Sequence, residues 1–156
     1  MEMRNEALKT LNNLVETCKD GEEGYKMAAE NVTDPKIKSE LMRFAQQRAD
    51  FRNELEGHAR TFGSSTENTS TVGGAVMEAA GVVHRGWINL KASLSGHDAQ
   101  AILSECENGD EAALKTYESA MNSSEIPMDV KNIIKKQHDE IEAAKSAVHS
   151  LKNISM

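Results

Sequence analysis

Four polar side chains interrupt the apolar stripes of this sequence, and they are the residues best placed to do chemistry. Counting in alternate steps of three and four residues, Glu22 and Asp110 each fall in the middle of an apolar stripe, and Arg48 and Gln137 do so in two further stripes. A carboxylate that is removed from water needs a positive charge beside it, because burying it unpaired costs several kcal/mol. The chemistry open to this set is an ion pair with Arg48 or the binding of a metal cation.

The first two stripes predict a helical hairpin. An apolar stripe over residues 8–32 predicts the first helix. Asp34 is suited to cap the second helix and Pro35 to be its first residue, since a proline lacks only a backbone N–H that would have no partner there. The second stripe continues to Gly63, which is a typical residue to end a helix.

The last two stripes predict a second hairpin that repeats part of the first. Its helices begin at Asp98, as N-cap, and after Pro127. The motif CKDGEE at residues 18–23 recurs as CENGDE at residues 106–111. This recurrence indicates a duplicated hairpin in which Glu22 and Asp110 hold equivalent positions.

The connection between the hairpins carries an apolar stripe on a segment rich in glycine and alanine. We expect a crossover helix over about residues 72–94 that packs on the outside of the bundle through Val76, Ala80, Val83, Trp87 and Leu90, with Trp87 buried. We also predict a partner face of Val76, Ala80 and Trp87 that docks a second copy. Two hairpins joined by one long crossover predict an all-α, ferritin-like four-helix bundle. The length of the chain predicts a single domain over residues 1–156.

Composition excludes several classes of partner. Asp and Glu outnumber Lys and Arg by 25 to 18, and the net charge of −7 repels nucleic acids and anionic membranes. The sequence has no apolar run long enough to span a membrane, and its first ten residues include acids and no apolar signal core, so we expect a cytoplasmic protein. Cys18 and Cys106 both lie within helical stripes, and we expect reduced thiols with no disulfide.

Four segments carry a resemblance to a known family. They read LVETCKDGEEG at residues 14–24, QRADFRNEL at 47–55, HRGWINLK at 84–91 and CENGDEA at 106–112. Together they resemble an uncharacterised bacterial family of ferritin-like four-helix-bundle proteins, a domain of unknown function, over nearly the whole chain. The resemblance implies the fold, but it implies no activity because the family has none established.

The sequence departs from the ligand pattern of ferritin-like di-iron proteins. Those proteins place a Glu on each of two helices and a Glu-x-x-His pair on each of the other two. Glu22 and Asp110 suit the first role, but no Asp or Glu precedes a His by three residues. If iron or another divalent metal binds, Glu22 and Asp110 are its predicted ligands. Further candidates at greater distance are Glu23, Glu111, His58 and His138.

Arg48 at the middle of the second stripe favours an ion pair over a metal, because its guanidinium can hold both carboxylates. We therefore predict a polar core layer of Glu22, Arg48, Asp110 and Gln137, without a cofactor. The expected function is that of a non-catalytic scaffold that acts through self-assembly, as a homodimer, or through partner binding. The alternative is a metal-binding oxidase or iron-handling protein, and a third hypothesis, a small-ligand carrier, requires an internal cavity.

Overall fold

The computed structural model describes residues 2–61, 87, 90–94, 96 and 98–154. Every element in this part of the chain is helical, and four of the helices are long. They are α1 (Glu2–Asn31), α2 (Pro35–Thr61), the short α3 (Leu90–Leu94), α4 (Ala99–Met121) and α5 (Met128–Ile154). The all-helical prediction is confirmed for the described residues. No helix among them combines the length and the apolar character needed to cross a membrane.

Capping side chains fix where α2 and α4 begin. The Asp34 carboxylate accepts a hydrogen bond from the backbone N–H of Lys36 at 2.8 Å, and Pro35 is the first helical residue. The Asp98 carboxylate accepts one from the N–H of Gln100 at 3.1 Å. Both caps are the predicted ones, because a helix start leaves N–H groups that only a nearby acceptor can satisfy.

The four long helices pack as two hairpins laid side by side. α1 packs along α2, α4 packs along α5, and α1 also lies against α4 over a long contact. Cys18 contacts Tyr117 and Tyr25 contacts Asp110, so α1 and α4 run antiparallel. α2 and α5 approach each other only over a short stretch. The inner faces of all four long helices therefore meet around one axis.

Two apolar clusters fill this interior. One contains Leu11, Leu14, Leu55, Tyr117 and Ile134, and the other contains Tyr25, Ile37, Leu41, Ile102 and Val148. Cys18 belongs to the first cluster and Cys106 to the second, and both are free thiols. Arg48 and Asp110 are buried, and their neighbours along α2 and α4 belong to both clusters, whereas the buried Gln137 of α5 lies between Ile134 and Ile141 of the first cluster. The core thus has two apolar halves, with Arg48 and Asp110 where they meet.

Trp87 anchors the crossover connection to the bundle. Its ring is 8% exposed and stacks edge-on to Tyr25, with 5.2 Å between ring centroids. A side-chain Cβ placed at Gly24 or Gly109 would come within 2.4 or 2.1 Å of the indole, so only glycine fits at these two points. α1 and α4 therefore form a slot that the tryptophan fills.

The buried position of Trp87 confirms the prediction that this residue packs on the bundle, and it leaves the ring little surface for the predicted partner face. Trp87 is buried inside its own chain, because the two glycines admit its ring between the helices. Val76, Ala80 and Val83 lie outside the described residues. Of the predicted crossover helix over residues 72–94, the structure describes residue 87 and residues 90–94, and the latter are helical.

Candidate functional site

Asp110 is the centre of the buried polar layer. Its side chain has no exposed surface and projects inward from α4. Its Oδ1 accepts a hydrogen bond from Arg48 Nη1 at 2.7 Å, and its Oδ2 accepts one from the hydroxyl of Tyr25 at 2.5 Å. One oxygen is therefore paired with a cation, and the other accepts a hydrogen bond from a neutral donor. This arrangement allows a carboxylate to remain in the core.

Arg48 reaches Asp110 from α2 across the interior. The residue is 1% exposed, and its chain passes beside Gly21, where a Cβ would lie 3.1 Å from Arg48 Cγ. Its Nε donates to Gln47 Oε1 at 3.1 Å, and its Cζ lies 5.2 Å from the centre of the Tyr25 ring. The glycine of the first repeated motif thus provides the space that the arginine side chain needs.

The charge states within this layer follow from burial and from the ion pair. Burial acts to lower the pKa of Arg48, but the charge and hydrogen bond of Asp110, together with Tyr25 and Cys18, outweigh it and the pKa lies above its ordinary value. Burial, and then the negative charge of Asp110, raises the pKa of Tyr25 well above its ordinary value. Arg48 is therefore a permanent cation, and Tyr25 is a neutral hydrogen-bond donor.

Glu22 does not join this layer, which corrects the prediction that placed it there. Its side chain is 16% exposed and pairs at the margin of the bundle with Lys26 at 3.2 Å and Arg52 at 3.4 Å. On α1 it is Gly21 and Tyr25 that face Arg48 and Asp110. The stripe therefore identified the correct turn of the helix but the wrong residue within it.

Gln137 lies in a second polar network and has no hydrogen bond to Arg48 or Asp110. Its Oε1 accepts from the hydroxyl of Tyr117 at 2.7 Å, and its Nε2 donates to Glu54 at 2.8 Å. The Tyr117 oxygen also lies 3.0 Å from the thiol sulfur of Cys18. This chain of contacts runs from a buried thiol to the exposed Glu54.

The second network contains no charged partner at its buried end. Burial raises the pKa of Cys18 to about 11, and it raises that of Tyr117 well above its ordinary value. Both groups are therefore protonated near neutral pH. A protonated, fully buried thiol is a poor nucleophile, so the geometry favours packing over reaction at Cys18.

Sequence reasoning missed three of the residues that complete these networks: Tyr25, Tyr117 and Glu54. The two tyrosines lie on the predicted apolar stripes, where an aromatic ring looks like ordinary core. A signal was available, because a buried tyrosine hydroxyl needs a partner and an acid or amide lay on a facing stripe.

The outlying metal candidates lie apart from the layer and have other neighbours. Glu23 is exposed and His58 is half-buried. Glu111 pairs with Lys145 on α5 at 2.6 Å. His138 contacts Glu118 Oε2 and Asp139 Oδ1, each at 3.1 Å. The structure does not bring these candidates together with Asp110.

The donor set at the centre of the bundle does not fit a di-metal centre. Both oxygens of Asp110 already accept hydrogen bonds from Arg48 and Tyr25, and the guanidinium would repel a dication. Within the described residues, no three His, Cys, Asp or Glu side chains form a group that could hold a metal ion. Glu22, the other predicted ligand, pairs with Arg52 and Lys26 at the margin of the bundle.

Fold and site together define an all-helical protein whose core contains an ion pair between an arginine and an aspartate. The family model described as "Domain of unknown function (DUF2383)" matches residues 6–123, and the chain belongs to that family. The matched region includes Arg48, Asp110 and Tyr25, whereas Gln137 lies beyond it. Comparison with curated proteins finds no significant match.

Proposed function

We propose that this chain is a non-catalytic scaffold of ferritin-like topology in which an ion pair stands where a metal centre would otherwise lie. The observation that carries the proposal is that both oxygens of the fully buried Asp110 are engaged by Arg48 and Tyr25. A metal ligand would have to give up at least one of these bonds. The guanidinium supplies the positive charge that the carboxylate needs, so no cofactor is required for its burial.

The cost of replacing the ion pair supports the same proposal. Arg48 cannot lose its charge, because a guanidinium is not deprotonated in proteins. A metal bound at Asp110 would leave this cation in the core without its carboxylate. A buried cation that loses its only anionic partner is strongly destabilising.

We further propose that the scaffold works in the cytoplasm by self-assembly or by binding a partner. The net charge of −7 supports a protein partner over nucleic acid or an anionic membrane. For assembly we propose a homodimer through the glycine- and alanine-rich connection that carries Val76 and Ala80. Light scattering at several protein concentrations should give a dimer mass, and a monomer mass at every concentration would contradict the proposed dimer.

Metal analysis of the protein, purified without chelator and without added metal, tests the central proposal. We expect far less than one equivalent of iron, manganese or zinc per chain, and an unfolding midpoint that a chelator does not change. One or two equivalents that a chelator removes, with a fall in the midpoint, would favour the oxidase or iron-handling alternative. The Asp110→Asn variant gives the matched comparison, because a metal held at the centre would be lost with the carboxylate.

A further inference from the structure

A cavity of about 350 Å³ lies where the crossover connection packs on α1. Its lining combines an apolar wall that includes Trp87 and Leu90 with the carboxylate of Asp20. We propose that this cavity binds a small organic cation, an alkylammonium whose charged end meets Asp20 and whose hydrocarbon chain lies against Trp87 and Leu90.

The apolar wall of the cavity comes from two elements. Trp87 and Leu90 belong to the crossover connection and are 8% and 2% exposed. Met27, on α1, is half-buried and packs against the same apolar cluster as these two residues. Pockets for small molecules measure roughly 300–1,000 Å³ and are mostly apolar with a few polar groups. The cavity therefore has the size and the lining of a small-ligand site.

Asp20 is the charged residue of this lining that is most removed from water. It is 4% exposed, whereas Glu23 and Lys91, which also line the cavity, are exposed. Its equivalent in the second copy of the repeated motif is Asn108, which is exposed on α4. The motif alone therefore does not bury this position. In the first copy a buried carboxylate and an apolar wall share one cavity.

The charges around Asp20 favour a cation over an anion. The described lining carries two carboxylates, Asp20 and Glu23, and one ammonium, Lys91. Glu16, one turn before Asp20 on α1, is itself paired with Lys19 at 3.7 Å. Burial, and then the charges of Glu23 and Glu16, raises the pKa of Asp20 to about 7. A bound cation acts against these causes, because it stabilises the ionised carboxylate.

The two parts of the cavity together select an organic cation over a metal ion. A primary ammonium has three N–H donors, and a carboxylate has about four lone-pair sites, so Asp20 can accept a further hydrogen bond while it keeps its contacts within the protein. The indole of Trp87 is apolar and attracts cations through its π face. A metal ion of the calcium class takes about six to eight oxygen ligands, which Asp20 and Glu23 do not supply, and it gains nothing from the apolar wall.

The fluorescence of Trp87 provides the test, because this is the only tryptophan of the chain and it lines the cavity. The full chain is titrated with n-hexylammonium at constant ionic strength and about pH 8, where Asp20 is largely ionised. We expect a saturable change in fluorescence. The neutral n-hexanol and the anionic hexanoate have the same chain length, and each should bind at least about tenfold more weakly because neither donates a charged hydrogen bond to Asp20.

A matched pair of variants assigns the charge preference to Asp20. Asp20→Asn should weaken the binding of n-hexylammonium by about tenfold or more and leave that of n-hexanol unchanged. Asp50→Asn should bind like the wild type, because Asp50 is an exposed aspartate of α2 outside the lining.

Three results would overturn the proposal. One is a fluorescence response to n-hexylammonium that does not saturate. Another is equal affinity of the wild type for n-hexylammonium, n-hexanol and hexanoate, which would indicate apolar binding without a role for charge. The third is an Asp20→Asn variant that binds n-hexylammonium as tightly as the wild type does. The first two measurements use the wild type, so they are decisive even if a variant folds poorly.

Discussion

The two copies of the repeated motif place equivalent acids in different environments. Glu22 in α1 and Asp110 in α4 occupy the same position of the motif. Asp110 is fully buried and bound by Arg48 and Tyr25, while the Glu22 side chain is 16% exposed and pairs at the margin of the bundle. The motif therefore determines the helix and the turn on which an acid lies, but residues on other helices determine whether it is buried.

Two tyrosines distinguish the two copies, because each is present in only one of them. Tyr25, which donates to Asp110, is matched by Ala113 in the second copy, and Tyr117, which contacts Gln137, is matched by Ala29 in the first. Each tyrosine thus has an alanine at the equivalent point. Each tyrosine takes part in a different hydrogen-bond network, one with the ion pair of Arg48 and Asp110 and the other with Gln137.

The two motif cysteines have different electrostatic surroundings for the same reason. Burial raises the pKa of both thiols. Beyond burial, the hydrogen bond with Tyr117 and then the charges of Arg48 and Arg52 act to lower the pKa of Cys18. The next cause at Cys106 is the charge of Asp110, which raises the pKa further, and Arg48 acts against it. After burial, the same motif position thus carries a thiol whose main neighbour lowers its pKa in one copy and a thiol whose main neighbour raises it in the other.

The largest expected difference between the two copies is in the cost of neutralising their acids. Asp110→Asn should lower the free energy of unfolding by about 3–5 kcal/mol, because Arg48 would remain buried without a counter-charge. Urea unfolding followed by circular dichroism measures this loss. The double variant Arg48→Met with Asp110→Leu should be more stable than Asp110→Asn, since it removes both charges. A double variant that is less stable would mean that the pair contributes through its geometry and not through compensation of charge.

The second largest expected difference between the two copies is in the cost of replacing their glycines with alanine. Gly109→Ala should cost about 1–3 kcal/mol through overpacking, because its Cβ would lie 2.1 Å from the rigid Trp87 ring. Gly21→Ala should cost less, since its closest contact is the flexible Arg48 chain at 3.1 Å. Gly57→Ala is the control: nothing lies within 4 Å of its Cβ, and alanine should stabilise α2 by about 0.5–1 kcal/mol. Equal costs at Gly21 and Gly109 would contradict the slot described for Trp87.

Removing the charge of Glu22 should have a small effect. Glu22→Gln should cost less than about 1 kcal/mol, because its pairs with Lys26 and Arg52 lie at the partly exposed margin and are screened by salt. Urea unfolding in low and high salt should give a loss that shrinks as the salt concentration rises. A loss as large as that of Asp110→Asn would mean that the two acids are equivalent in energy despite their different burial.

Most of the fold could be predicted from the sequence because its signals are local. The helix starts at Asp34 and Asp98 depend on side chains within two or three residues of the N–H groups they satisfy. The site was harder to predict, because it depends on which residues meet across helices. Periodicity placed Arg48 and Asp110 on inward faces, and these two do meet. It could not show that Tyr25 would take the place expected of Glu22, since adjacent positions at the edge of a stripe differ by a rotation that only packing decides.

Trp87 illustrates a second limit of the sequence. Its stripe predicted an apolar face, and burial of the ring agrees with that pattern. What covers such a face cannot be read from a single stripe. The slot depends on Gly24 and Gly109, which lie on different helices and far apart in the sequence.

The smallest expected difference concerns Glu30 and Glu118, which are 88 residues apart, as Glu22 and Asp110 are. Glu30 is exposed on α1, whereas Glu118 on α4 lies 3.1 Å from His138 Nε2 of α5. Burial acts to lower the pKa of His138, but the hydrogen bonds to Asp139 and Glu118 outweigh it and the pKa lies above its ordinary value of 6.5. A raised pKa means that the folded protein binds the proton more tightly, so the stabilisation is fully present below about pH 6.5 and is lost as the pH rises through the folded value.

Urea unfolding at a series of pH values should therefore show a decline in wild-type stability across this window, superimposed on the contributions of other groups. His138→Gln should remove that part of the decline, since glutamine does not titrate. An unchanged pH profile in the variant would mean that the contacts of His138 do not depend on its charge.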